Sequence, residues 1–180
     1  MDLSPESILP AEIPEKPSAL KRTLIVIGGL ILIILIVSFI LVSFPIGNIL
    51  QGKLASSTLQ GNTIILRDFS IVFQNETISD LKSKYFQEQK TEFSLCLLGT
   101  KQGENYFITS FYQPKIYSQA FNEVIFEPCS ADTLIMLHTH PYKSCIASQT
   151  DLETLNKTKA RNPEVLMVVM CEPERFAVYG

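Results

Sequence analysis

Apolar and polar positions divide this chain into stretches of very different character. Residues 23–44 read TLIVIGGLILIILIVSFILVSF, 22 consecutive positions without a charge. As a helix this run is about 33 Å long, enough to cross a hydrocarbon core of about 30 Å. Before it, Pro5, Pro10, Pro14 and Pro17 lie among acidic residues with no periodicity, so residues 1–22 read as a flexible tail. Residues 45–66 carry Gly47, Gly52 and the pair Ser56-Ser57, and read as a linker. From residue 67 onward the pattern is that of a folded domain. Asp68 to Phe73 alternates as a short strand. Thr77-Ile78-Ser79-Asp80 resembles a capping box, and Ile78, Leu81 and Tyr85 continue it at helical spacing to about Gln89. Glu92 to Gly99 is a buried strand, turned at residues 101–105 into a second, Tyr106 to Tyr112. Val124 to Phe126 is another short strand, and residues 133–140 one that starts apolar and ends polar. A helix over Ser148 to Arg161, closed by Asn162-Pro163, leads to strands at Val165 to Met170 and Phe176 to Tyr179. Strand, helix and strand over residues 133–171 predict one parallel crossover, the remaining pairs being antiparallel. The expected fold class is α+β, or mixed α/β, around a single sheet spanning residues 67–180.

A cleaved signal peptide competes with a membrane anchor for residues 23–44. Its apolar core runs to about 7–15 residues and ends in a small-x-small site. This run is longer, and Phe44-Pro45-Ile46 lacks that site, which favours an uncleaved transmembrane helix. Lys16, Lys21 and Arg22 precede it and Lys53 alone follows closely, so the charge rule puts the N-terminus in the cytoplasm and the domain outside. Sequons at Asn75 and Asn156 would be usable only outside. The composition agrees: the 180 residues are 46% hydrophobic and 18% charged, but 17 of the apolar residues sit in this one run. The net charge of −3 and the lack of any Lys/Arg block argue against a nucleic-acid partner.

Chemistry concentrates in one place. The chain has two histidines, in the tripeptide His138-Thr139-His140, followed by Pro141 and then by Ser148 and Asp151. Side chains at i and i+2 of a strand share a face, so both imidazoles can address one ion. Pro141 ends the ladder, and Asp151 falls in the first turn of the next helix, beyond the same end of the strand. Two imidazoles and a carboxylate leave a fourth position open, as in a catalytic zinc site. The plainer reading of Ser148-Gln149-Thr150-Asp151 is an N-cap with an acid on the helix dipole, and paired strand histidines can be structural. Both histidines and the acid meeting at one edge favours the metal.

H-T-H-P followed at this spacing by S-x-x-D resembles the signature of the JAMM metalloproteases, whose best-known members remove ubiquitin. That family also has a glutamate ahead of an apolar run with a glycine seven residues later, which Glu92 to Gly99 matches. The resemblance extends over roughly Thr77 to Tyr179. It implies a JAMM/cytidine-deaminase-like sheet with flanking helices, and one Zn2+ held by His138, His140 and Asp151. It further implies that Glu92 relays a proton from water to the leaving amine, and that Ser148 hydrogen-bonds the oxyanion. The substrate would be a protein or peptide, ubiquitin-like conjugates among the candidates, cut at a peptide or isopeptide bond. Little chain is left after the last strand for the insertions with which ubiquitin-specific members grip their substrate. A catalytically silent binding scaffold and a zinc amidohydrolase for a small substrate are the rival readings; the complete residue set favours the peptidase.

The same resemblance bears on the cysteines. Cys145 follows His140 by five residues and Cys171 ends the next parallel strand, so their thiols can meet, and some archaeal-type members have cysteines at both places. A Cys145–Cys171 disulfide pinning the site loop is therefore expected. Cys96 reads as a buried strand residue and Cys129 has no evident partner. A thiol protease is disfavoured because both histidines are already committed to the metal.

Overall fold

A computed structural model describes residues 18–43, 46–119, 124–140 and 144–180. The proline-rich tail up to residue 17, Phe44 and the Pro141 turn lie outside these residues. The chain divides into two compact units, 1–44 and 45–180.

In the first unit, helix α1 spans Ala19–Ser43. Its side chains from Leu24 to Val42 are apolar apart from Gly28, Gly29 and Ser38, and none of them is buried. At 25 residues it is about 37 Å long, so by length and composition it can cross a membrane; a signal sequence would pass the same test.

The second unit contains three helices and ten strands among the described residues: α2 (Ile46–Ala55), β1 (Ser57–Gln60), β2 (Thr63–Ile65), β3 (Ser70–Phe73), α3 (Thr77–Gln87), β4 (Ser94–Gln102), β5 (Asn105–Tyr112), β6 (Ile116–Gln119), β7 (Val124–Phe126), β8 (Ile135–Thr139), α4 (Gln149–Lys159), β9 (Leu166–Glu172) and β10 (Arg175–Tyr179). Eight of these strands close into a barrel in the order β1-β10-β9-β8-β4-β5-β3-β2, and β6 pairs with β7 as a separate ribbon.

This closure corrects the single-sheet, JAMM/cytidine-deaminase-like α+β fold expected from the sequence. The closing staves come from the stretch read as a linker: β1 pairs antiparallel with β10 and with β2, and β2 with β3. At four and three residues these strands are too short to show a period, and the surrounding glycines and serines mask them. Gly61, at φ 63°, makes the tight turn between them. The parallel pair β8–β9 forms as expected, joined through α4, but β3–β5 is also parallel, so the rest of the sheet is not purely antiparallel.

Alternation explains the packing. One side of every barrel strand feeds a single core: Leu59, Ile64, Ile71, Phe73, Leu95, Leu97, Tyr106, Ile108, Ile135, Leu137, Leu166, Val168, Met170 and Phe176, joined by Leu81 of α3. The opposite side of β8, β9 and β10 is covered by α4 and the loop before it, through Cys145, Ala147 and Leu155 against Met136, Met167, Val169, Cys171 and Ala177. Helix α3 departs from its predicted start. Glu76 is the N-cap and makes no side-chain cap bond, whereas Thr77 is buried and its hydroxyl donates to the Thr109 carbonyl at 3.1 Å. Two disulfides are present, Cys145–Cys171 as expected and Cys96–Cys129, which corrects the reading of the latter two as unpaired.

Candidate metal centre

The site grows from the outer wall of the barrel. β8 is flanked by β4 and β9, with Ser94 opposite His138 on one side and Val169 on the other. Leu137 belongs to the core, so His138 points to the other side, where α4 lies. The strand end is held by Thr139: its amide donates to the Phe93 carbonyl and its hydroxyl accepts from the Phe93 amide, both at 3.1 Å. His140 follows on the side of His138.

α4 brings the carboxylate. Ser148 is its N-cap and forms a capping box: the Asp151 amide donates to Ser148 Oγ at 3.2 Å, and the Ser148 amide donates to Asp151 Oδ2 at 2.7 Å. That Oδ2 also faces both imidazoles. His138 Nε2 and His140 Nε2 are 3.0 Å apart, and Asp151 Oδ2 is 3.3 Å from the first and 3.2 Å from the second. The capping reading and the ligand reading thus hold together, the cap fixing the carboxylate that completes the triangle. Bonds of about 2.0–2.1 Å in a tetrahedral site separate neighbouring donors by about 3.3 Å. The three edges here fit that spacing, so His138, His140 and Asp151 form a group able to hold a metal ion.

The electrostatics favour a charged Asp151. Burial opposes ionisation, but hydrogen bonding with His138 and His140, the charge of His138 and the Ser148 contact outweigh it, leaving the carboxyl well below its ordinary range. His138 is buried and Asp151 retains 21% side-chain exposure, so the triangle is open to solvent on one side.

Glu92 is buried, at 8% exposure, just ahead of β4. The Ser94–His138 register, continued by two residues, sets Glu92 across from His140. Its carbonyl accepts from Gln119 Nε2 at 2.6 Å, and the same amide donates to Thr91 Oγ1 at 3.0 Å, so the β6–β7 ribbon braces this segment. A cavity beside His140 is lined by Tyr85, Glu88, Lys90, Thr91, Phe93 and Thr139.

Residues 144–147, just ahead of Ser148, are fastened twice. Cys145 is bonded to Cys171 at the end of β9. Tyr179 of β10 donates its hydroxyl proton to the Cys145 carbonyl at 3.1 Å and accepts from the Ala147 amide at 2.9 Å. Sequence reasoning expected His138, His140 and Asp151 to meet and Cys145 to bond Cys171, and both are found; it missed Tyr179 and Gln119. A tyrosine in a terminal strand and a glutamine in an unrecognised strand carry no local signal for such roles. No protein-family model matches the chain, and no curated protein matches it.

Proposed function

We propose that the chain is a membrane-anchored, zinc-dependent metallopeptidase of the JAMM type, hydrolysing a peptide or isopeptide bond. The observation that carries this reading is the triangle of His138, His140 and Asp151 with Glu92 buried across from it. Two imidazoles and one carboxylate suit Zn2+ with a fourth position left for chemistry. A zinc ion there would supply Lewis acidity toward water and toward the scissile carbonyl. Glu92 takes the proton of the attacking water and delivers it to the leaving amine as the carbon–nitrogen bond breaks. Ser148 Oγ accepts from Asp151 in the cap, which leaves its own proton to donate to the oxyanion.

Location narrows the substrate. Two disulfides in a chain of this size favour an oxidising compartment. The flanking charges of α1 favour the same side of the membrane for residues 45–180. The substrate is then an exposed or secreted polypeptide rather than a cytosolic ubiquitin conjugate. Purified full-length protein should carry about one zinc per chain. Glu92→Gln should retain that zinc and lose about 10²–10⁴-fold in turnover on a generic peptide library. Zinc-free protein, or full activity in Glu92→Gln, would overturn the assignment. Proteolysis of residues 45–180 in intact cells tests the orientation separately.

A further inference from the structure

Helix α2 has two unlike faces. Gly52 is buried, and a Cβ at this position would stand 3.0 Å from both the Cβ and the amide nitrogen of Cys145. The helix backbone therefore packs closely against Cys145, and a Cβ here would force that neighbour to give by a few tenths of an ångström. Arg175 secures the following turn, its Nη1 donating to the Lys53 carbonyl at 3.4 Å and to Ser56 Oγ at 3.2 Å. At about 100° per residue, positions two before and two after Gly52 both lie about 160° from it. Those positions are Leu50 and Leu54, 60% and 90% exposed. They are i, i+4 neighbours on the face turned away from the barrel, and Lys53 beside them is also exposed.

Chain continuity indicates what meets that face. Ile46, where α2 begins, is three residues after Ser43, where α1 ends. Three residues reach at most about 11 Å, and the headgroup layer on each side of a bilayer is about 5–8 Å thick. If residues 23–44 fill the hydrocarbon core, α2 starts no more than about 11 Å beyond its boundary, within reach of that layer. An apolar pair flanked by a lysine suits the boundary between headgroups and acyl chains.

We propose that Leu50 and Leu54 seat α2 in the lipid interface, so that the helix carrying Gly52 holds the Cys145 loop, and with it the metal centre, at the membrane surface. This inference rests on the reading of α1 as a membrane span.

The chain contains no tryptophan, so a single introduced one reports its own depth. The full-length variants Leu54→Trp, Ile34→Trp in the middle of α1, and Phe86→Trp at an exposed position of α3 are placed in phosphatidylcholine vesicles. The lipids are plain, brominated close to the headgroup, or brominated near the acyl terminus. Leu54→Trp should emit to the blue of Phe86→Trp and lose intensity with shallow bromine, and Leu50→Ser in the same chain should reduce that loss. Ile34→Trp should be quenched by deep bromine and Phe86→Trp by neither. Quenching of Ile34→Trp without quenching of Leu54→Trp would overturn the interfacial helix while leaving the span standing. An unquenched Ile34→Trp would overturn the span and the interfacial helix together. A blue shift in Leu54→Trp that follows the protein-to-lipid ratio and ignores bromine would assign the face to a second copy of the chain, and the inference would fail.

Discussion

The two disulfides are nearly matched as cross-links and differ in what they hold. Cys96–Cys129 encloses 33 residues of sequence separation and Cys145–Cys171 encloses 26. Chain-entropy arithmetic gives each about 3.5–4 kcal/mol, with only about 0.2 kcal/mol between them. Cys96 sits in β4, across from Met136 of β8, and its bond ties down the segment that leads into that strand. Cys145 lies between His138 and His140 on one side and α4, which carries Asp151, on the other, and its bond fastens it to the end of β9. Two nearly equal cross-links thus sit in unlike places: one ties a segment to the barrel wall, and the other fastens the residues just ahead of α4, which carries Asp151.

The largest effect should come from dismantling the site while leaving both cross-links intact. Asp151→Ala removes one corner of the donor triangle and half of the capping box. Bound zinc after dialysis, measured by elemental analysis, should fall from about one per chain to near zero, and turnover should vanish with it. The lost cap should cost about 1 kcal/mol of stability. Full zinc retention would show that the two histidines bind without Asp151 and would break the ligand assignment.

Cutting each cross-link in turn tests the comparison itself. Cys96→Ala/Cys129→Ala and Cys145→Ala/Cys171→Ala should lose similar stability, about 2–5 kcal/mol each, in denaturation of the full-length protein. Zinc affinity should separate them. The second pair should bind about 10–100-fold more weakly, as when an outer support of a metal ligand is removed, and the first should bind nearly normally. Equal weakening in both would mean that the wall and the site respond as one body.

Tyr179→Phe asks the same question without touching a cysteine. The phenol bridges the Cys145 carbonyl and the Ala147 amide. Its loss leaves two loop groups unpaired at a cost of about 1–3 kcal/mol. Zinc affinity should fall less than in Cys145→Ala/Cys171→Ala, because the covalent tie survives. A competitive chelator titration would rank the two, and the reverse order would make the hydrogen bonds, rather than the disulfide, the main brace.

These expectations lean unevenly on the sequence. The grouping of His138, His140 and Asp151 was legible because the two histidines share a strand parity and Asp151 must fall in the first turn of a helix capped by Ser148. The longer strands β4, β5, β8 and β9 were legible through their apolar runs, and the Lys101–Asn105 turn through Gly103, which takes φ 59°. The barrel was not legible. Its closing strands show four and three residues of alternation, and closure depends on β1 meeting β10 across more than a hundred residues of chain. Cys96–Cys129 was missed for a related reason. Cys129 lies in an irregular segment, and nothing local reveals that the segment passes Cys96. Tyr179 and Gln119 act through contacts from distant strands, and those contacts exist only once the barrel has formed.

The smallest predicted effect sets the baseline for the others. Thr77 is buried at the start of α3, where its hydroxyl donates to the Thr109 carbonyl of β5 and takes no part in capping the helix. Thr77→Val keeps the shape and removes that donor, so the full-length protein should lose about 1 kcal/mol. The bond lies on the β5 side of the barrel and involves neither disulfide nor His138, His140 or Asp151. Zinc affinity should therefore stay within the error of the chelator titration while the denaturation midpoint moves. If a change this remote also shifts zinc binding, the metal centre is reading the stability of the whole barrel. The different roles given to the two cross-links would then need to be re-measured at equal residual stability before either is credited with shaping the site.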